Sequence, residues 1–140
     1  MKVRDAMAKT ISTVRPGDNI VQIARLMKQN DTGFIPVTES DRLVGVITDR
    51  DIVIRGLAEG PADVLNKTAS HVMSSRNLLT VTPTDDLEKA AKIMEREAVR
   101  RLAVVQEGHV VGVVSHGNLV QAMAGQGAAM EMTKGVTRGA

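Results

Sequence analysis

The stretch Gly45-Val46-Ile47-Thr48-Asp49-Arg50-Asp51 carries the reading of the fold. An apolar run, Leu43–Ile47, meets a hydroxyl at Thr48 and turns abruptly polar, and a helical pattern follows over Asp51–Leu57. That is how a strand delivers the chain straight into a helix. The pattern occurs twice: Gly112-Val113-Val114-Ser115 repeats Gly45-Val46-Ile47-Thr48, with Asn118 standing where Asp51 stands, and 112 − 45 = 67. At the same offset Thr13-Val14 falls on Thr80-Val81, Pro16 on Pro83, Asp18 on Asp85, Ala24 on Ala91, Met27 on Met94 and Val37 on Val104. An ungapped offset sustained over roughly forty residues marks an internal duplication. Upstream, Asp5-Ala6-Met7 aligns with His71-Val72-Met73 at 66, so one residue is inserted between there and the first strand.

Working outward, each copy has one layout. A short extended piece (Ile11–Val14; Leu78–Val81) runs to a proline. A helix follows, opened by Asp18 or Asp85, with Glu88 three residues after Asp85 suggesting a capping box. Ile20, Ile23, Ala24 and Met27, and likewise Leu87, Ala90, Ala91 and Met94, fall at i, i+3, i+4, i+7 on one helical face. The methionines at this spacing read as core filling. Next come a strand (Ile35–Thr38; Leu102–Val105), a polar turn (Glu39–Arg42; Gln106–His109), a second apolar strand (Leu43–Ile47; Val110–Val114) and a short helix (Asp51–Leu57; Asn118–Met123). The expected division is therefore residues 1–60 as the first repeat, 61–68 as a linker opened by Gly60-Pro61, and 69–124 as the second repeat. Residues 125–140 read as a mobile terminus, with a partner-binding helix as the alternative.

Composition narrows the class. The chain has 140 residues and a net charge of +2 with acids and bases interspersed, so it carries no broad electrostatic footprint for nucleic acid. Phe34 is the only aromatic residue, whereas single-strand binding normally uses several stacking platforms. The absence of cysteine removes thiolate metal sites and disulfides and fits a reducing compartment. No apolar run approaches the roughly 20 residues of a membrane span, and Met-Lys-Val-Arg-Asp lacks the apolar core of a signal peptide. A cytoplasmic protein is the expectation. His71, His109 and His116 are scattered without metal-ligand spacing, and His116 beside Ser115 lacks a third catalytic partner. Neither copy carries a P-loop or a dinucleotide fingerprint, and Gly125-Gln126-Gly127 is too short to count as one. No metal site and no catalytic residue are expected, and the chain is not read as an enzyme.

The strand-to-helix junction is where chemistry can reside. A threonine hydroxyl there can bond a phosphate or a sugar hydroxyl, and a carboxylate can accept two hydrogen bonds at once, which suits the paired hydroxyls of a ribose. Equally, Thr48 and Asp51 can do no more than cap the helix. The residues alone leave both readings open.

Two copies of strand–helix–strand–strand–helix, each with Gly-apolar-apolar-Thr/Ser-x-x-Asp/Asn before its last helix, resemble CBS domains, which act in pairs called Bateman modules. The resemblance covers about residues 3–58 and 69–124, and Thr48-Asp49-Arg50-Asp51-Ile52-Val53 is similar to small stand-alone bacterial CBS-pair proteins. It implies an α/β (α+β) fold of two β-α-β-β-α repeats packed with pseudo-two-fold symmetry through their sheets. It also implies a homodimer, and an adenosine ligand in the cleft between repeats.

Carried over residue by residue, the resemblance assigns a first site to Val46, Ile47, Thr48 and Asp51 with Leu79, Arg100 and Arg101. Two adjacent guanidinium groups would clamp a phosphate; alternatively they lie at the solvated end of helix Asp85–Glu97. A second, weaker site would join Ser115 and Asn118 to Ser12, Gly33 and Phe34. There Asn118 has one acceptor oxygen instead of two, and Gly33-Phe34 replaces the basic pair. This site is expected to disfavour phosphorylated nucleotides more than a neutral adenosine. The implied function is regulatory sensing of an AMP-, ADP- or ATP-type ligand, or of S-adenosylmethionine, with no required cofactor. The signal would pass by conformational change to an unidentified protein in trans. The alternative is a structural dimerisation or docking module with no physiological nucleotide. Nucleic acid and membrane are not expected partners.

Overall fold

The computed structural model describes residues 1–124; the expectations for the tail at 125–140 lie outside the described residues. The described residues divide into two units, Ser12–Leu78 and Met1–Ile11 together with 79–124. The elements in chain order are α1 (Val3–Ala6), α2 (Ile20–Asn30), β1 (Phe34–Glu39), β2 (Arg42–Thr48), α3 (Asp49–Asp51), α4 (Ala69–Val72), β3 (Thr80–Val81), α5 (Leu87–Glu97), β4 (Arg101–Gln106), β5 (His109–Ser115) and α6 (His116–Ala122). A π-helical segment, Ile52–Ala58, continues α3, and a 3₁₀ stretch, Pro61–Asn66, occupies most of the expected linker.

In the Ser12–Leu78 unit, β1 and β2 form an antiparallel hairpin with Phe34 opposite Thr48 and Pro36 opposite Val46. Val14 runs parallel to Val37 beyond β1. Its core is Val14, Ile20, Ile23, Met27, Ile35, Val37, Ile47, Ala69 and Val72. In the other unit, β4 and β5 form the matching hairpin, with Arg101 opposite Ser115, and β3 runs parallel to β4. Its core repeats the first at the offset of 67: Val81, Leu87, Ala90, Met94, Leu102, Val104 and Val114, joined by Val3, Leu119 and Met123. Ala69 and Val72 thus do for one core what Val3 and Ala6 do for the other. Each core is completed by a short helix that precedes the other copy's first strand in sequence.

That exchange explains both glycines of the repeated motif. Ser74 bridges Val46 through bonds in both directions of 2.9 Å, and Ala8 bridges Val113 through bonds of 2.9 and 3.1 Å. The crossing segments come so close that a Cβ on Gly45 would lie 2.8 Å from Met73 Sδ and 2.9 Å from the Ser74 carbonyl oxygen. On Gly112 it would lie 2.8 Å from both Met7 Sδ and the Ala8 carbonyl oxygen. Only glycine lets a backbone pass at that distance.

The first long helix of each copy starts one residue later than its sequence suggests. Asn19 and Asp86 occupy the cap positions, and Asn19 accepts the Val21 N–H at 2.8 Å. Asp18 and Asp85 instead accept the amides of Arg15 and Thr82, at 2.9 and 2.8 Å, so they hold the proline turn that precedes the helix. The capping box expected between Asp85 and Glu88 does not form, because the Asp85 carboxylate is already committed to that turn. Both helices end with a residue in the left-handed region, Asp31 at φ 49° and Ala98 at φ 55°. Thr32 and Val99 then donate back to the Met27 and Met94 carbonyls at 3.0 Å, as in a Schellman closure. Of the expected helical faces, Ala24 is exposed, while Ile20, Ile23 and Met27 are buried.

Candidate functional site

The two junctions are built alike. Thr48 Oγ1 accepts the Asp51 N–H at 3.1 Å, and Asp51 Oδ2 accepts the Thr48 N–H at 2.9 Å. Ser115 Oγ accepts the Asn118 N–H at 3.0 Å, and Asn118 Oδ1 accepts the Ser115 N–H at 3.0 Å. Each pair is a reciprocal capping box on a half-buried N-cap residue. The capping reading of Thr48 and Asp51 is therefore realised, and the atoms that remain decide what else the junctions can do.

The remainders differ. At the first junction Asp51 keeps a second carboxylate oxygen, Oδ1, with no hydrogen-bond partner among the described residues. An ionised carboxylate is acceptor-only, so what remains there is an acceptor beside the Thr48 hydroxyl, which still has its proton to donate. At the second junction Asn118 has spent its amide oxygen on Ser115, and what remains is the Nδ2 group, a pure donor. The first junction can receive hydrogen bonds from a diol; the second can give them but lacks an equivalent acceptor.

Residues assigned together on sequence are distributed by unit. Val46, Ile47, Thr48 and Asp51 share the Ser12–Leu78 unit with Ser12, Gly33 and Phe34. Leu79, Arg100 and Arg101 share the other with Ser115 and Asn118. Ile47 is wholly buried in its core, whereas Val46 is half-buried and bridges Ser74. Ser12 Oγ accepts from Asn30 Nδ2 at 2.7 Å. Phe34 is half-buried at the open end of the β1–β2 hairpin, its N–H bonded to Thr32 Oγ1 at 3.3 Å. Leu79 packs against its unit's core. Arg100 is exposed and Arg101 half-buried at the start of β4, and neither forms an ion pair among the described residues.

Two neighbours of the junctions, Asp49 and His116, occupy equivalent positions; the sequence reading assigns Asp49 no role and sets His116 aside for want of a catalytic partner. The Asp49 N–H donates to the Gly33 carbonyl at 3.0 Å, and the His116 N–H to the Arg100 carbonyl at 2.7 Å. His116 Nε2 is buried with no partner among the described residues. Burial, and next to it the charge of Arg100, hold its imidazole below the ordinary histidine pKa. The offset of 67 pairs Asp49 with His116, but their chemical types differ, so the repeat pattern does not mark them as equivalent.

Among the described residues, no three His, Asp or Glu side chains cluster as metal ligands, and no helix is long and apolar enough to cross a membrane. A sequence model of the CBS domain matches the chain twice, over residues 3–57 and 69–125. The chain is 38% identical over 132 residues to the CBS domain-containing protein YhcV of Bacillus subtilis, spanning 94% of this chain and 92% of that one. It is 32% identical over 119 residues to Hypoxic response protein 1 of Mycobacterium tuberculosis, spanning 84% and 82%. Among solved structures, CBSX2 in complex with AMP superposes with a TM-score of 0.75 at 26% identity, over 86% of this chain and 94% of that one. The duplicated fold, the paired capping boxes and the two family matches agree: the chain belongs to the CBS-domain family, as a tandem pair.

Proposed function

We propose that the chain is a regulatory binding module for an adenosine ligand, with Asp51 as the residue that receives the ribose. The observation that carries this reading is the unspent carboxylate oxygen of Asp51, held in place by a capping box its other oxygen completes. A preset acceptor costs little ordering entropy on binding. The Thr48 hydroxyl beside it supplies a donor for a sugar or phosphate oxygen. CBSX2, of the same fold, has a structure described as a complex with AMP, which supports an AMP-, ADP- or ATP-type ligand; S-adenosylmethionine is the further candidate. Arg100 and Arg101, which the family resemblance assigns to the same ligand, are tested separately by alanine replacement.

The module acts without catalysis, by passing its ligand state to a protein partner, in a cytoplasmic homodimer. Self-association is supported by the outer face of the segment after Asp51, where Val53, Ile54 and Leu57 are 53%, 39% and 45% exposed.

Calorimetry with AMP, ADP, ATP and S-adenosylmethionine tests the reading. Heat with at least one of them, lost in Asp51→Ala and little changed in Asn118→Ala, is the expected result. No heat with any of them at millimolar ligand would remove the sensing function and leave a structural dimerisation module.

A further inference from the structure

We propose that Asp49 sets the charge selectivity of the Gly33–Phe34 end of the β1–β2 hairpin, admitting an adenine nucleoside that carries no phosphate there. This deepens the proposed function and rests on it. The open ends of the two hairpins are built alike: residue 49 donates its amide to the carbonyl of residue 33, as residue 116 does to residue 100. Their charges are opposite. At one end stand Arg100, Arg101 and His116; at the other stand Gly33, Phe34 and Asp49.

The Asp49 carboxylate is folded back over Gly33. A Cβ placed on Gly33 would lie 2.6 Å from Asp49 Oδ2 and 3.0 Å from Oδ1. Asp49 is exposed; the same Oδ1 accepts the Arg50 N–H at 2.8 Å, which favours this rotamer, and no ion pair neutralises the group among the described residues. The absence of a side chain at residue 33 therefore makes room for an anion at the position where the other copy carries a guanidinium. A phosphate brought to Phe34 meets a like charge a few ångströms away. A neutral nucleoside meets only a hydrogen-bond acceptor and a ring to pack on.

The test is titration of the full chain with AMP and with adenosine, at low and at high salt, for the parent, Asp49→Asn and Asp49→His. Asparagine keeps the oxygen that accepts the Arg50 amide, and histidine is the residue the other copy uses, so a failure to fold in one variant leaves the other. The two unit charges of AMP at about 6 Å in a largely aqueous dielectric correspond to roughly tenfold in affinity. The expected result is a gain of that size for AMP in its weaker binding event at low salt, vanishing at high salt, with adenosine unchanged. Equal changes for AMP and adenosine, or no change in either while AMP still binds the parent, would overturn the role of Asp49 alone. No heat with either ligand in any of the three proteins would overturn the proposed function and this inference with it.

Discussion

Asp51 and Asn118 differ by one atom's chemistry, and that atom decides what each junction has left to offer. Both side chains spend one oxygen on an N-cap amide, at 2.9 and 3.0 Å. What remains is an acceptor in one case and a donor in the other. The sequence showed the Asp-to-Asn difference but not which oxygen the cap consumes, since that depends on a rotamer. His116 is the second residue whose environment matters. Its folded pKa is depressed, first by burial and then by Arg100, so as pH falls the unfolded chain takes up the proton first. Its contribution to stability is complete above the ordinary histidine pKa of about 6.5 and is lost as pH falls below that, towards the depressed folded value. Urea midpoints at neutral and mildly acidic pH should therefore fall less in His116→Gln than in the parent. An equal fall in both would show that Nε2 is not the titrating group that matters.

At the scale of elements, closures and crossings carry the testable strain. Ala98 ends α5 at φ 55°, a conformation its Cβ disfavours. Ala98→Gly should stabilise the protein by about 0.5–1 kcal/mol in urea denaturation, the relief of strain outweighing the added chain entropy; destabilisation would mean that the tight closure is not strained. Gly112→Ala should do the reverse, by roughly 1–3 kcal/mol, because one of the two atoms nearest the new methyl is the Ala8 carbonyl oxygen, which belongs to a bridged backbone and cannot swing away. Stability within error of the parent would contradict the close crossing. The long helices, the hairpins and the duplicated core were legible because they follow period 3.6 or period 2 and recur at one offset. The cap positions were not. Asp18 and Asp85 look like N-caps, yet a proline turn claims their carboxylates first. The short helices Val3–Ala6 and Ala69–Val72 were missed as well, since four residues give no periodicity. The signal available for the latter was Thr68 with His71 three residues on, whose Nδ1 accepts the Thr68 amide at 2.9 Å.

For the whole molecule, the duplication and the family were legible from a constant offset of 67, but the exchange of short helices between copies was not. Sequence order places Ala69 and Val72 with the second repeat, whereas they are buried in the core that the first repeat builds. Self-association is the prediction that belongs here. The parent should sediment as a dimer, and Leu57→Glu, which places a charge on the exposed apolar face, as a folded monomer; a monomeric parent would remove the proposed dimer, and a dimer unaffected by the change would move the interface elsewhere. The proposed function has the chain bind an adenosine ligand through the spare oxygen of Asp51. Its most direct test is Asp51→Asn, which gives the first junction the chemistry of the second while keeping an oxygen to cap the helix. Calorimetry with AMP should show affinity reduced by roughly tenfold to a hundredfold, the worth of one hydrogen bond to a charged group, with the melting temperature of the unliganded protein nearly unchanged. Undiminished AMP binding in Asp51→Asn would contradict the claim.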